Sequence, residues 1–136
     1  MNISKHITFI EATKSPTAIR NGIKNEPNAE QLANMKLVAE KCFEPLREWY
    51  GKPIRVNSFF RSKALNKKVG GSPTSSHCQG CAIDMDAGNK VENKNLFDWC
   101  KENLNYDQLI NEFDYSWVHI SYVPQNNRKQ TLAITK

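Results

Sequence analysis

Apolar positions recur at three- and four-residue spacing most clearly over residues 29–50, where Leu32, Met35, Ala39, Cys42, Leu46 and Trp49 fall along one side. That period predicts an amphipathic helix. Pro45 has no amide proton and its ring crowds the preceding turn, so it should kink the helix or split it in two. Gly51 followed by Pro53 should end it. A second helical period covers residues 91–104, with Leu96, Phe97, Trp99, Cys100 and Leu104 on its apolar side. Alternation with a period of two predicts strands over residues 54–60, 81–86, 106–113 and 117–123, the last two joined by a short turn at Asp114 and Tyr115. Residues 61–76 are polar and rich in Gly and Ser, which predicts a long loop with a short helix near 64–69. Upstream, residues 7–23 mix apolar and polar positions, Ser15-Pro16 reads as a helix start, and residues 25–28 read as a break. Leu132, Ala133 and Ile134 stand out in a polar tail and predict a small edge strand. Helices followed by strands in this order predict an α+β fold, a single domain over residues 1–136 with a mainly antiparallel sheet packed against helices.

Composition changes this picture little. The 136 residues suffice for one domain with its own core. Hydrophobic residues make up 39% and charged residues 24%, an ordinary globular balance. No apolar run approaches the roughly 20 residues of a membrane helix, so no membrane insertion is expected. The N-terminus lacks a basic stretch followed by an apolar one, so no secretory signal is read there. The net charge of +5 suits anionic polymers such as wall teichoic acid or nucleic acid. The positive residues are scattered, however, which reads as a solvated basic surface and predicts no nucleic-acid partner. Nothing in the pattern demands a dimer, and a monomer is expected.

Chemistry-bearing residues are few. Cys78 and Cys81 form a CxxC, a spacing used for zinc or redox chemistry. A structural zinc site needs a second ligand pair, and Cys42 and Cys100, both at helical core spacing, do not supply one. Of the three histidines, His6 lies near the terminus without an acidic neighbour in sequence and reads as a surface residue. His77 closes the Gly/Ser loop, and Asp84 follows on a strand whose Ala82, Asp84 and Asp86 point one way while Cys81, Ile83 and Met85 point the other. His119 shares a face with Trp117 and Ser121, half-exposed by this reading, opposite the apolar Val118 and Ile120. Two imidazoles and a carboxylate make a three-ligand zinc set with an open fourth position. By spacing alone, polar residues at strand ends account for the same pattern.

The residues around these positions narrow the choice. Ser58-Phe59-Phe60-Arg61-Ser62, Leu65-Asn66, Val69-Gly70-Gly71-Ser72, Ser75-Ser76-His77, Gly80, Ala82 and Asp84 resemble the pattern of the M15 family of zinc peptidases, close to S-x-x-R-S-x-x-L-N-x-x-V-G-G-S-x-x-S-x-H-x-x-G-x-A-x-D. Asp107-Gln108-Leu109-Ile110, Glu112-Phe113 and Trp117-Val118-His119-Ile120-Ser121 resemble the family's second signature. The likeness covers about residues 54–123. It implies the fold of the D-alanyl-D-alanine peptidases, shared with the signalling domain of hedgehog proteins. It also implies a Zn2+ ion bound by His77, Asp84 and His119, and hydrolysis of peptide bonds in bacterial peptidoglycan. The family includes carboxypeptidases, dipeptidases of vancomycin resistance and phage endolysins. Such a protein would be made in the cytoplasm and act at the wall or periplasm, either after release, as a phage or prophage lysin is, or after export by another route.

The same resemblance implies roles for further residues. Arg61 would lie near the metal and stabilise an oxyanion or grip a substrate carboxylate. Many members carry an acidic general base three residues before the second histidine, where this chain has Ser116. Glu112 and Asp114 are the nearest carboxylates, and Glu112, closing the preceding strand, is favoured as the base. Ser76 and Ser121 flank the ligands and could hydrogen-bond to them or to substrate. Cys78 and Cys81 fall on variable positions of the pattern. A module on the same fold that binds zinc and wall peptide without cutting is the alternative that Ser116 suggests.

Overall fold

The computed structural model describes residues 1–135. Two short strands, β1 (Asn2–Ser4) and β2 (Ile7–Thr8), form an antiparallel hairpin. Helix α1 (Phe9–Thr13) starts at a capping box, in which Thr8 accepts from Glu11 N and Glu11 accepts from Thr8 N. Helix α2 (Pro16–Arg20) starts at Ser15, as the Ser-Pro pair predicts, with the Ser15 hydroxyl accepting from Ala18 N. The hairpin leaves no alternation in the sequence, because two- and three-residue strands are too short to show it, and α1 is marked there only by the Thr8 and Glu11 of its capping box.

The long amphipathic stretch is three pieces. Helix α3 (Ala29–Val38) runs into a π-helical turn (Ala39–Phe43) and then helix α4 (Glu44–Tyr50). Glu44 N bonds back five residues to Ala39 O, and Pro45 sits at the start of α4, where its missing N–H does least harm. Proline thus splits the helix through a π-turn. Gly51 ends it in the left-handed conformation, φ 73°.

Strand β3 (Arg55–Ser58), helix α5 (Lys63–Lys68), a 3₁₀ turn (Ser76–Gln79), strand β4 (Ala82–Asp86), helix α6 (Lys90–Asn103) and strands β5 (Gln108–Glu112), β6 (Trp117–Ser121) and β7 (Gln130–Ile134) complete the chain. The five-stranded sheet has the order β3-β4-β6-β5-β7. Every pairing is antiparallel except β5 with β7, which is parallel. The expected edge strand therefore exists, on the outer side of β5. The fold is α+β.

One face of the sheet is the core. Ile83 and Met85 of β4, Val118 and Ile120 of β6 and Leu109 of β5 are buried with Met35, Val38, Cys42, Phe43, Leu46, Leu96 and Cys100 of the helices. Cys42 and Cys100 behave as the small core hydrophobes expected of them. Burial pushes the Cys42 thiol up to about 12. No helix among the described residues is long and apolar enough to cross a membrane.

His6 departs from the surface reading. Its Nδ1 lies 2.6 Å from Glu44 Oε1, and its backbone N–H donates to Glu44 Oε2 at 2.9 Å. The partner is 38 positions away, so nothing near His6 in sequence marks it. The contact ties the N-terminal hairpin to α4.

Candidate metal centre

The opposite face of the sheet carries the polar residues. Asp84 on β4 and His119 on β6 are direct cross-strand partners, so their side chains leave the same face side by side. His119 is buried, not half-exposed, with the His77 ring packed edge-on against it.

His77 reaches the same point from the 3₁₀ turn. The Ser75 hydroxyl accepts from His77 N at 3.2 Å and starts the turn. Gly80 ends it at φ 76°, and a Cβ there would lie 2.5 Å from Gln31 O of α3. Glycine is thus required at this position for both conformation and space. Nδ1 of His77 meets Phe59 O at 2.7 Å. A carbonyl only accepts, so the ring proton sits on Nδ1 and Nε2 presents a lone pair.

His77 Nε2 lies 3.2 Å from Asp84 Oδ2, and His119 Nδ1 lies 2.9 Å from Asp84 Oδ1. The two imidazoles meet edge to face, centroids 5.2 Å apart. One ligand atom from each residue falls within 4.8 Å of the others. His77 Nε2 is buried and makes no hydrogen bond of good geometry. An orphaned buried acceptor is costly, and a cation between the three side chains would satisfy it. Two neutral imidazoles and a carboxylate suit zinc and leave a coordination position open. Burial alone would raise the Asp84 carboxyl, but the two imidazoles against it, His77 and His119, hold it well below the usual carboxylate range.

A cleft of about 640 Å³ opens over this group. Arg61, Ser76 and Glu112 line it, together with Gln108, Ile110, Phe113, Trp117 and Ile134. Arg61 Nε is buried without a hydrogen-bond partner, so part of its guanidinium is uncommitted. Burial, with the nearby Asp84 charge, raises the Glu112 carboxyl despite downward pulls from His119, Trp117 and Arg61. The Trp117 indole N–H still finds no hydrogen bond of good geometry, so its hold on Glu112 is loose. Asp114 lies on the exposed turn, paired with Lys90 at 3.3 Å. Ser116 donates its hydroxyl to Phe113 O. Ser121 is fully buried and accepts from Gln108 N at 3.0 Å, outside the cleft lining.

Cys78 and Cys81 are buried free thiols outside the metal-binding group. Burial raises both, Cys81 to about 11, so neither is a thiolate at neutral pH. Ile110, Phe113, Trp117 and Ile134 are cleft residues that no sequence motif marks as such. Alternation along β5 was the available signal, since Gln108, Ile110 and Glu112 share one face.

A family model described as Peptidase M15 matches residues 5–121. Comparison with curated proteins gives no match.

Proposed function

The chain belongs to the peptidase M15 family, and from that premise we propose that it is a zinc peptidase that hydrolyses peptide bonds of bacterial peptidoglycan, as a D,D-carboxypeptidase or an endolysin-type endopeptidase. The observation that carries this reading is the orphaned His77 Nε2 aimed at Asp84 and His119, at the foot of a cleft that also holds Arg61 and Glu112.

A zinc ion held by His77, Asp84 and His119 would supply a Lewis acid and lower the pKa of water from about 16 towards about 7. Glu112, as the base, takes a proton from the attacking water. The water oxygen bonds to the scissile carbonyl carbon, the C–N bond breaks, and Glu112 delivers the proton to the leaving amine. Arg61 offers its guanidinium to the carbonyl oxygen as negative charge grows there, or to a substrate carboxylate. The fully buried Ser121 steadies β5 through Gln108 N and thereby supports the strand that carries Glu112. Ser76, on the cleft rim, is available to substrate. The protein works as a monomer on wall peptides, without nucleic acid.

Zinc content and release of new amine ends from purified peptidoglycan test the reading together. About one zinc per chain, with cleavage that a chelator stops, supports it. Zinc with wall binding but no cleavage would replace it with the non-cutting module. Absence of zinc would remove it.

A further inference from the structure

The floor of the cleft continues past the metal-binding group. Cross-strand partners set rows of side chains on this face. One row runs Asp84, His119, Ile110, Leu132, and the next runs Trp117, Glu112, Ile134. Alternate residues of a strand share a face, so Gln130, Leu132 and Ile134 of β7 stand on the same side as Gln108, Ile110 and Glu112. Each row is polar or aromatic where the chemistry would take place and aliphatic towards the sheet edge. Leu132 and Ile134 are each 37% exposed. A third row ends differently, with the Gln108 amide donating to Gln130 Oε1 at 2.8 Å.

A strained turn supplies the wall. Phe113, Asp114 and Tyr115 all have positive φ, at 51°, 56° and 60°, a conformation disfavoured for residues with a Cβ. Several hydrogen bonds hold it, among them Tyr115 N donating to Asn111 Oδ1 at 2.6 Å, Ser116 Oγ to Phe113 O at 2.7 Å, Ser116 N to Glu112 O at 3.0 Å, Asn93 Nδ2 to Tyr115 O at 3.0 Å, and Phe113 N to Ile134 O at 2.6 Å. The result seats the Phe113 ring against Trp117, centroids 5.2 Å apart, beside Ile134 at the cleft edge. Such strain persists only where its surroundings impose it, and it marks functional positions. Strand β7 also falls beyond the residues that the family model matches. Exposed aliphatic side chains on an edge strand are an aggregation hazard unless they serve binding.

We infer that Ile110, Leu132, Ile134 and Phe113 form a side-chain subsite that selects a substrate residue with a long aliphatic stem, and that the Gln108–Gln130 amide pair receives a polar group at the end of that stem. The inference rests on the peptidase reading of the site. Leu132 stands two strand spacings, about 10 Å, from His119. That distance puts the selected residue within about three positions of the bond cut, at about 3.3 Å per extended residue. A lysine-type diamino acid has this chemistry, with methylenes for Leu132 and a polar head for the glutamines.

The test uses peptides that carry alanine, norleucine or lysine in turn at each of the three positions flanking the bond on either side. Cleavage is measured as kcat/KM. Binding to the zinc-loaded Glu112→Gln protein is followed by the fluorescence of Trp117. At one position the wild type should prefer norleucine and lysine over alanine by about tenfold or more. In Leu132→Thr/Ile134→Thr, which keeps β-forming side chains, that ratio should fall towards one. Gln130→Ala should lower the lysine peptide relative to norleucine. Absence of any preference in the wild type, or a preference that survives the double substitution, overturns the subsite. Ordered binding without cleavage would overturn the peptidase reading and leave the subsite standing. Cleavage without order would do the reverse.

Discussion

Phe59 and His77, eighteen positions apart, share one hydrogen bond that determines how the candidate metal centre is presented. The Phe59 side chain is 1% exposed and anchored in the core. Its carbonyl therefore holds a fixed position and holds the His77 proton on Nδ1. The free Nε2 then faces Asp84 across 3.2 Å. A residue whose side chain serves packing thus orients a ligand through its backbone.

From this arrangement, His77→Ala and His119→Ala should each reduce bound zinc from about one per chain to near zero, measured by metal analysis after dialysis. Binding to the folded state alone adds stability. Zinc at a hundredfold excess over its dissociation constant should raise wild-type unfolding free energy by about 2.7 kcal/mol. The variants should gain almost nothing. An equal gain in wild type and both variants would place the metal elsewhere.

Glu112→Gln should lower kcat by roughly 10²- to 10⁴-fold while zinc content holds. The carboxyl should also announce itself by titration. Burial, then Asp84, raise it above the ordinary 4.5 against the pulls of His119, Trp117 and Arg61. In zinc-free protein, the carboxyl carbon signal of Glu112 should therefore titrate above the usual glutamate range. Added zinc should move it down, because a cation favours the charged form. A base acts only when ionised, so activity should rise as pH passes upward through that value. Unchanged activity in the glutamine variant would remove Glu112 from the mechanism.

Short-range order made the faces of Asp84 and His119 legible in the sequence, though not their meeting with His77. The alternation over residues 81–86 sets the face of Asp84, and that over 117–121 sets the face of His119. Their adjacency depends on β4 pairing with β6, across 35 positions, and only the family resemblance brought that into view. Contacts without a local signature stayed hidden. The His6–Glu44 hydrogen bonds join a hairpin to a helix that neither periodicity connects. The parallel pairing of β7 with β5 could not be read from Leu132, Ala133 and Ile134, since an apolar triplet carries no direction. The His77 ring packed against His119 comes from a turn that sequence pattern places nowhere.

Arg61→Ala should cost about 10²- to 10³-fold in kcat with zinc retained. Lysine should not rescue it, because a single ammonium cannot reproduce the planar fork. Full activity of Arg61→Lys would reduce the role to one of charge alone.

Gly80→Ala asks how tightly the His77 turn is packed. Alanine would be strained at φ 76° and would place its Cβ 2.5 Å from a backbone carbonyl of α3. Backbone cannot move aside as a flexible side chain can, so the 3₁₀ turn must shift and take His77 with it. The expected outcome is destabilisation by about 1–3 kcal/mol, with zinc affinity weakened in parallel. Gly22→Ala, with a similar φ of 62° and nothing within 4 Å, is the control, and its zinc affinity should match wild type. Equal zinc loss in both variants would refute the packing argument.

Asp107 and Arg128 connect the core sheet to its edge strand, and pH should reveal it. The buried Asp107 carboxylate accepts from Arg128 N at 3.2 Å, Nε at 2.9 Å and Nη2 at 2.8 Å. Its own carbonyl accepts from Gln130 N, the first residue of β7. The hydrogen bonds from Arg128 hold the Asp107 carboxyl below its ordinary 3.8, against the opposing effect of burial. A carboxylate whose folded value is depressed adds stability above its unfolded value, and that contribution is lost as pH falls through the folded value. Asp107→Asn should therefore cost about 1–2 kcal/mol at neutral pH, a figure kept low because the Arg128 side chain is 58% exposed. The gap from wild type should hold down to about pH 4 and close below it, as read from urea unfolding between pH 7 and pH 3. It should also loosen β7, so any selectivity for long aliphatic side chains should weaken in this variant without loss of zinc. A stability gap independent of pH would mean that the asparagine disturbs packing and that the ion pair contributes little.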